Sequence, residues 1–183
     1  MHTIDSIDEV FAALTGGGGE AYFGEPVTVL EHSLQAAWFV RRKNAEAPLV
    51  VAALLHDLGH LVHDAGEDAA ARGVDTHHED LGVEALGEHL PTSVLDPIKL
   101  HVAAKRYLCL AEPRYFGALS PASVESLALQ GGPMSPLEAE AFLALPHARE
   151  AITLRHADDA AKVEGLAVPA LDIYRPFVEA LWR

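Results

Sequence analysis

Residues 50–60 read VVAALLHDLGH. The first six are apolar on every side of a helix, the pattern of a segment buried in a core rather than laid on a surface. The run ends in His56 and Asp57, with His60 one turn further on. A fold that buries this helix therefore carries two imidazoles and a carboxylate into or beside its interior. Burying such groups without partners is strongly unfavourable, whereas a metal ion satisfies them together. Adjacent helical residues project about 100° apart, so His56 and Asp57 can reach one ion or two neighbouring ions. His56 and His60, spaced i and i+4, share a helix face.

The rest of the chain reads as helices joined by loops. Thr3 to Thr15 is a short amphipathic helix stopped by GGGG at 16–19; no Gly-Lys-Ser/Thr follows, so the run is no phosphate loop. AYFGEP at 21–26 is a loop. Thr28 with Glu31 forms a capping box for a helix to about Asn44. Pro48 opens the helix carrying LLHDLGH, and the polar stretch from Asp64 to Thr76 is a loop. Helices are expected at about 77–89, 91–107, 121–128, 136–145 and 147–164, with a last one from Pro169. No strand alternation stands out. The expectation is an all-α fold, a single domain over 1–183.

Composition excludes several roles. The net charge is −14 with histidine neutral, and no basic stripe offsets it. Such a surface repels nucleic acid and disfavours an anionic membrane. No window approaches the roughly 18 apolar residues of a spanning helix. The N-terminus is acidic and lacks an apolar leader, and Cys109 is the only cysteine, a small core residue rather than a nucleophile. A cytoplasmic location is expected.

Eleven histidines are present. His2, His63, His89, His147 and His156 stand in polar or terminal surroundings and read as solvated. His32, in VLEHSLQAAWFV, and His101, in IKLHVAAKRYL, lie among apolar neighbours. His77 and His78 open a helix in THHEDLG, and Asp158 and Asp159 interrupt LRHADDAAK. Periodicity separates neither pair. Lys105 is four residues after His101 and Arg155 three before Asp158, so each shares a helix face with a candidate ligand. Two cations beside a metal site make a cradle for a compact dianion.

The order His32, His56-Asp57, Asp158 resembles the H…HD…D signature of the HD-domain superfamily, an all-α helical bundle whose core helices supply metal ligands. A finer likeness runs over roughly residues 20–165. YFGEPVTVLEHSLQAA, LLHDLGH, HHEDLG, HVAAKRYL, SPAS…LQGGPMS and LRHADDAAK resemble, in the same order, the mixed-valent diiron oxygenases that degrade phosphonates. That resemblance implies two irons, Fe(II)/Fe(III), with dioxygen as cosubstrate. One iron would be held by His32, His56, Asp57 and Asp158, the other by His78 and His101, with Asp57 bridging. It also implies that His60, Lys105, Ser123, Ser126, Gln130 and Arg155 contact a small organophosphonate. Tyr22 would guard the iron until substrate arrives, and Glu25 would meet the substrate's cationic amine. The reaction expected is oxidative C–P cleavage of a 1-hydroxy-2-(amino or trimethylammonio)ethylphosphonate, giving phosphate and glycine or glycine betaine. The rival is an HD phosphohydrolase acting on a nucleotide or phosphomonoester through the same ligands.

Overall fold

In the computed structural model, which describes residues 3–17, 19, 21–22, 24–62 and 72–183, the apolar run forms the hub: every residue from Leu49 to Leu55 is buried. Helix α1 (Ile7–Gly16) is capped by Ser6, whose hydroxyl accepts from the Glu9 amide. Helix α2 (Val29–Arg42) starts at the Thr28/Glu31 capping box. The hub is α3 (Ala47–Leu55), with a proline in its first turn. Next come α4 (His78–Leu86), α5 (Thr92–Ala111), α6 (Pro121–Leu129) and α7 (Pro136–Leu143), the last with a Ser135/Glu138 capping box. Helix α8 (Ala148–Ala160) and the short α9 (Arg175–Glu179) complete the order. Among the described residues the only strand-like pairing is one bridge between Ala21 and Thr28.

Helices α2, α3, α5 and α8 pack on one another and hold the polar cluster between them. The main core joins Val10, Leu14, Val40, Leu54, Leu55, Leu86, Ile98, Leu154 and Tyr174, drawn from six helices and the turn that carries Tyr174. Full burial of each large aliphatic side chain stabilises by about 1.5–3 kcal/mol. A smaller cluster of Ala104, Met134, Phe142 and Ala151 seats α7 on α5 and α8. No helix among the described residues is long and apolar enough to cross a membrane.

Two expectations are corrected. The helix carrying the His-Asp pair stops at Leu55, and His60 lies on a 3-10 turn, Leu58–Leu61, so His56 and His60 do not share an α-helical face. The turn exists because Gly59 lies against the start of α4: a Cβ there would stand 1.9 Å from the His78 carbonyl oxygen and 3.0 Å from the Gly82 nitrogen. The second correction concerns α8, which ends at Ala160 rather than near 164. The chain beyond it is captured by α2. Ala161 O accepts from His32 Nδ1 at 2.9 Å, and the Gln35 side-chain amide donates to Val163 O (2.9 Å) and accepts from Val163 N (3.1 Å). The last helix is likewise replaced at its start by a 3-10 turn, Leu171–Tyr174.

Some expected loop residues and the histidines His2 and His63 lie outside the described residues, as does Phe23. His89, His147 and His156 are only partly exposed. His89 stacks on Trp182 at 4.7 Å between ring centroids, and His156 Nε2 lies 3.2 Å from Glu112 Oε1. Cys109 is partly buried, and burial raises its pKa, in keeping with an unreactive thiol.

Gly59→Ala is expected to cost at least about 1–3 kcal/mol of unfolding free energy, because backbone rather than a flexible side chain must move. Gly16→Ala is the control: nothing lies within 4 Å of its added Cβ. It is expected to be neutral or to stabilise by about 0.4–1 kcal/mol. Urea denaturation of both variants checks the pair.

Candidate metal centre and anion pocket

Four helices and one turn converge on Asp57. α2 supplies His32, the turn that follows α3 supplies His56 and Asp57, α4 supplies His78, α5 supplies His101, and α8 supplies Asp158; all six are buried. Asp57 Oδ2 lies 3.5 Å from His32 Nε2 and 3.4 Å from His56 Nε2. Its other oxygen, Oδ1, lies 3.4 Å from His78 Nε2 and 3.7 Å from His101 Nε2. One carboxylate thus faces two imidazole pairs, one with each oxygen. Asp158 Oδ1 joins the first pair, 3.4 Å from His32 Nε2.

The protonation pattern of these rings requires a cation. His56 Nδ1 lies 3.0 Å from Ala53 O, and His101 Nδ1 lies 2.7 Å from Ile98 O; in each case the ring reaches back three residues. With the Ala161 carbonyl on His32, three Nδ1 atoms face acceptors that cannot donate, so each carries the ring proton. His78 Nδ1 lies 3.4 Å from Glu79 Oε2, outside hydrogen-bond geometry. With one proton per ring, the Nε2 atoms of His32, His56 and His101 are bare lone pairs. Yet His32 Nε2 and His56 Nε2 stand 3.1 Å apart, and so do His78 Nε2 and His101 Nε2. The first pair then has no proton to share. Atoms about 2.0–2.2 Å from a common ion stand about 2.8–3.6 Å apart over octahedral to tetrahedral angles. The described separations fall there, save the 3.7 Å to His101. The residues fit two metal ions sharing Asp57. The donor set, imidazole and carboxylate without thiolate, suits a first-row transition metal.

Electrostatics agree. Burial pushes the His78 pKa well below its ordinary value, with His60 adding to it, and pushes His101 down to about 4, with His56 adding to it. Burial alone would raise the Asp57 carboxyl, but His56, His60, His78 and His32 hold it well below the usual range. Burial opposes Asp158 too, and Arg155 overcomes it. His78 and His101 are therefore held in the neutral form and the two carboxylates in the ionised form, the ligating forms.

Around this core lies a cavity of about 370 Å³. His60 lines it and stacks on His78, with centroids 4.0 Å apart. Ligand atoms of Asp57, His60 and His78 also lie within 4.8 Å of one another, close enough to share an ion. Tyr22 stacks on His32 at 3.9 Å, and its hydroxyl donates to Asp57 Oδ2 at 2.7 Å. Burial, then the Asp57 charge, raises the Tyr22 pKa, so the phenol keeps its proton. Lys105, buried, donates from Nζ to Ser126 Oγ at 2.8 Å; burial and then Arg155 lower its pKa to about 7. Ser123 and Gln130 line the same wall.

Arg155 departs from the expected free cradle. Its Nη1 pairs with Asp158 Oδ2 at 2.8 Å, Nη2 pairs with Asp159 and approaches Ser123 Oγ at 3.5 Å, and Nε donates to the Tyr115 hydroxyl at 3.1 Å. Tyr115 in turn bonds Asp159. Arg155 holds Asp158 in place as much as it faces the cavity. Asp159, the residue periodicity could not separate from Asp158, serves this arginine network. His77, which periodicity could not separate from the chosen His78, is exposed, at 66 % for its side chain. Glu25 does line the cavity, but Lys162 Nζ already lies 3.1 Å from its Oε1.

Sequence reasoning missed two residues. Lys162 stands inside the quoted LRHADDAAK, and only its place after the turn at Ala161 reveals its reach into the cavity. Glu79, buried beside His78 Nδ1, has its pKa raised to about 7 by burial. Its signal was a carboxylate directly following a candidate ligand, a familiar outer-shell arrangement.

Comparison with known proteins agrees with this architecture. Residues 29–161 match the HD domain family. The chain is 40% identical over 164 residues, 90% of its length and 84% of the relative's, to a protein of Leisingera caerulea named [1-hydroxy-2-(trimethylamino)ethyl]phosphonate dioxygenase (glycine-betaine-forming). It is 43% identical over 163 residues, 88% of its length and 81% of the relative's, to a hydroxymethylphosphonate dioxygenase of Gimesia maris.

Two equivalents of divalent metal per chain are expected by elemental analysis of anaerobically loaded protein. Asp57→Asn is expected to lose most of both, and His78→Ala about one. The metal-free protein gives a pH test. His101 has a folded pKa of about 4 against an ordinary 6.5, so the unfolded chain binds more protons between those values. Stability is full above about 6.5 and is lost as pH falls towards 4. His101→Gln is expected to flatten that window in thermal melts.

Proposed function

This chain belongs to the HD-domain family, and on that premise we propose that it is an oxygen-dependent dioxygenase of phosphonate breakdown. Its substrate is a 1-hydroxy-2-(amino or trimethylammonio)ethylphosphonate, and its products are phosphate with glycine or glycine betaine. The observation that carries this reading is a concentration of charge. The chain has 27 acidic and 13 basic residues, yet Lys105, Arg155 and Lys162 all line the cavity that opens on the Asp57 cluster. A small dianion is the ligand such a cavity recognises. The activities named for both relatives favour oxygen chemistry over phosphomonoester hydrolysis.

The metals would be two irons: His32, His56, Asp57 and Asp158 would hold one, and His78, His101 and Asp57 the other. When bound, they supply dioxygen activation for attack on the C1–H bond, chemistry that plain hydrolysis lacks for a C–P bond. The protein's own residues orient the substrate. Lys105 Nζ with Ser126, and Ser123 with the outer edge of Arg155, hold the phosphonate oxygens. The buried Lys105 gains its full charge beside an arriving dianion, because a nearby anion favours the protonated form. His60, stacked on His78, bounds the site on the α4 side. Tyr22 lies over the His32 ring and donates to Asp57 Oδ2, so its phenol must turn away when substrate approaches that side. Held by these side chains, C1 would be presented in one orientation, which makes the attack effectively intramolecular. Across the reaction the C–P bond breaks, new C–O and P–O bonds form, and the two atoms of dioxygen end in the carboxylate and phosphate.

Phosphate release from the hydroxylated aminophosphonate, with oxygen present and withheld, tests the reading. Release only with oxygen is expected. Release without oxygen, or from a phosphomonoester alone, would move the protein to the hydrolases. Lys105→Met is expected to lower kcat/KM by at least about 30-fold, the cost of losing one partner of a buried charge pair. It should leave the fold intact or stabilise it, since a charge that burial disfavours is removed.

A further inference from the structure

Two aspartates stand side by side on α8, and both meet one guanidinium. Arg155 lies three residues before Asp158 and four before Asp159, so it sits between them on the helix surface and reaches each. They divide it unequally. Asp159 takes the forked edge: Nε donates to its Oδ2 at 3.2 Å, and Nη2 donates to its Oδ1. Asp158 receives only the far nitrogen, Nη1, on its Oδ2 at 2.8 Å. Its Oδ1 is left facing His32 Nε2 at 3.4 Å. Tyr115, on the segment between α5 and α6, closes the forked edge from outside the helix. Its hydroxyl accepts from Arg155 Nε at 3.1 Å and donates to Asp159 Oδ2. Tyr115 and Arg155 are both buried, so water is a poor substitute for these contacts.

We infer that Asp159 and Tyr115 are positioning residues for the metal centre: by occupying the forked edge of Arg155, they leave Asp158 Oδ1 free for the ion it shares with His32 and His56. This rests on the two-metal reading above and not on the identity of the substrate. Arginine and a carboxylate pair best through two parallel bonds. With its fork open, Arg155 would take both Asp158 oxygens, and a fixed cation would compete with the metal for Oδ1. Charge points the same way. Asp159 balances the guanidinium, so the charge of Asp158 remains for the metal. The Arg155 and Asp158 side chains are only 5 % and 3 % exposed, so water screens this balance weakly. Tyr115 adds a geometric restraint. Arginine carries five donors on a flexible stem, and a hydroxyl held on Nε fixes which end of the guanidinium meets Asp158.

Calorimetric titration of metal-free protein with Mn(II) under nitrogen gives the two metal affinities and needs no turnover. Asp158→Asn identifies the affinity of the His32, His56 and Asp158 site as the one it weakens most. Asp159→Asn is expected to weaken that same affinity by about 10–100-fold and to leave the other within about twofold. Tyr115→Phe keeps the ring in place, and it carries the test should loss of the Asp159 charge unfold the chain. It is expected to weaken the same affinity by about threefold or more, the loss of one hydrogen bond. Asp159→Glu keeps the charge and should restore most of the wild-type value. With Asp158→Asn already present, Asp159→Asn should leave the remaining affinity unchanged. Equal weakening of both affinities with a lower melting temperature means a role in folding alone and overturns the inference, as do unchanged or tighter affinities. Wild-type protein that binds fewer than two ions overturns the two-metal reading and this inference with it.

Discussion

The Asp57 carboxylate is the point on which the rest of the site depends. Its two oxygens face two pairs of imidazoles, and in each pair the Nε2 atoms stand 3.1 Å apart. Carbonyls on α3, α5 and the end of α8 fix the ring protons of His56, His101 and His32 on the far side. Between His32 and His56 the arrangement is repulsive unless positive charge fills it. Helices that would otherwise pack as a plain apolar bundle are held at a polar centre that only cations make favourable.

Helix α8 joins this centre to the cavity. Over one turn and a half it carries Arg155, Asp158 and Asp159, then at its end the Ala161 carbonyl that orients His32, then Lys162. Arg155 spends most of its N–H groups on Asp158, Asp159, Tyr115 and Ser123, so the same guanidinium fixes a candidate ligand and borders the anion pocket. The capture of residues 161–163 by His32 and Gln35 ends the helix early. That early end directs Lys162 into the cavity instead of leaving it on the next helical turn.

Much of this was legible in the sequence where a motif is local. The capping boxes at Thr28/Glu31 and Ser135/Glu138 need only residues three apart, and both formed as their spacing required. The all-apolar run of α3 could be satisfied only in a core. The six residues expected to ligate metal do converge, because a helix core cannot bury so many polar groups apart from one another. The errors fell where a local rule met a distant backbone. The i, i+4 reading of His56 and His60 assumed a continuous helix, and the close approach of Gly59 to the α4 carbonyl at His78 broke it.

The sequence by itself determined the helical class, the buried hub and the set of imidazoles and carboxylates that needs a cation, since these follow from periodicity and from the cost of unpartnered burial. Periodicity left two choices between neighbours open; the resemblance of the flanking segments made them, and the tertiary structure supplies their physical reason. His78 rather than His77 turns inward, and Asp158 rather than Asp159 meets His32, because each helix presents one side of itself to the bundle axis. It also decided that Lys162 pairs with Glu25. Their 137-residue separation offers no local signal (162 − 25), and only the packing of α8 against α2 brings an ammonium and a carboxylate together out of water.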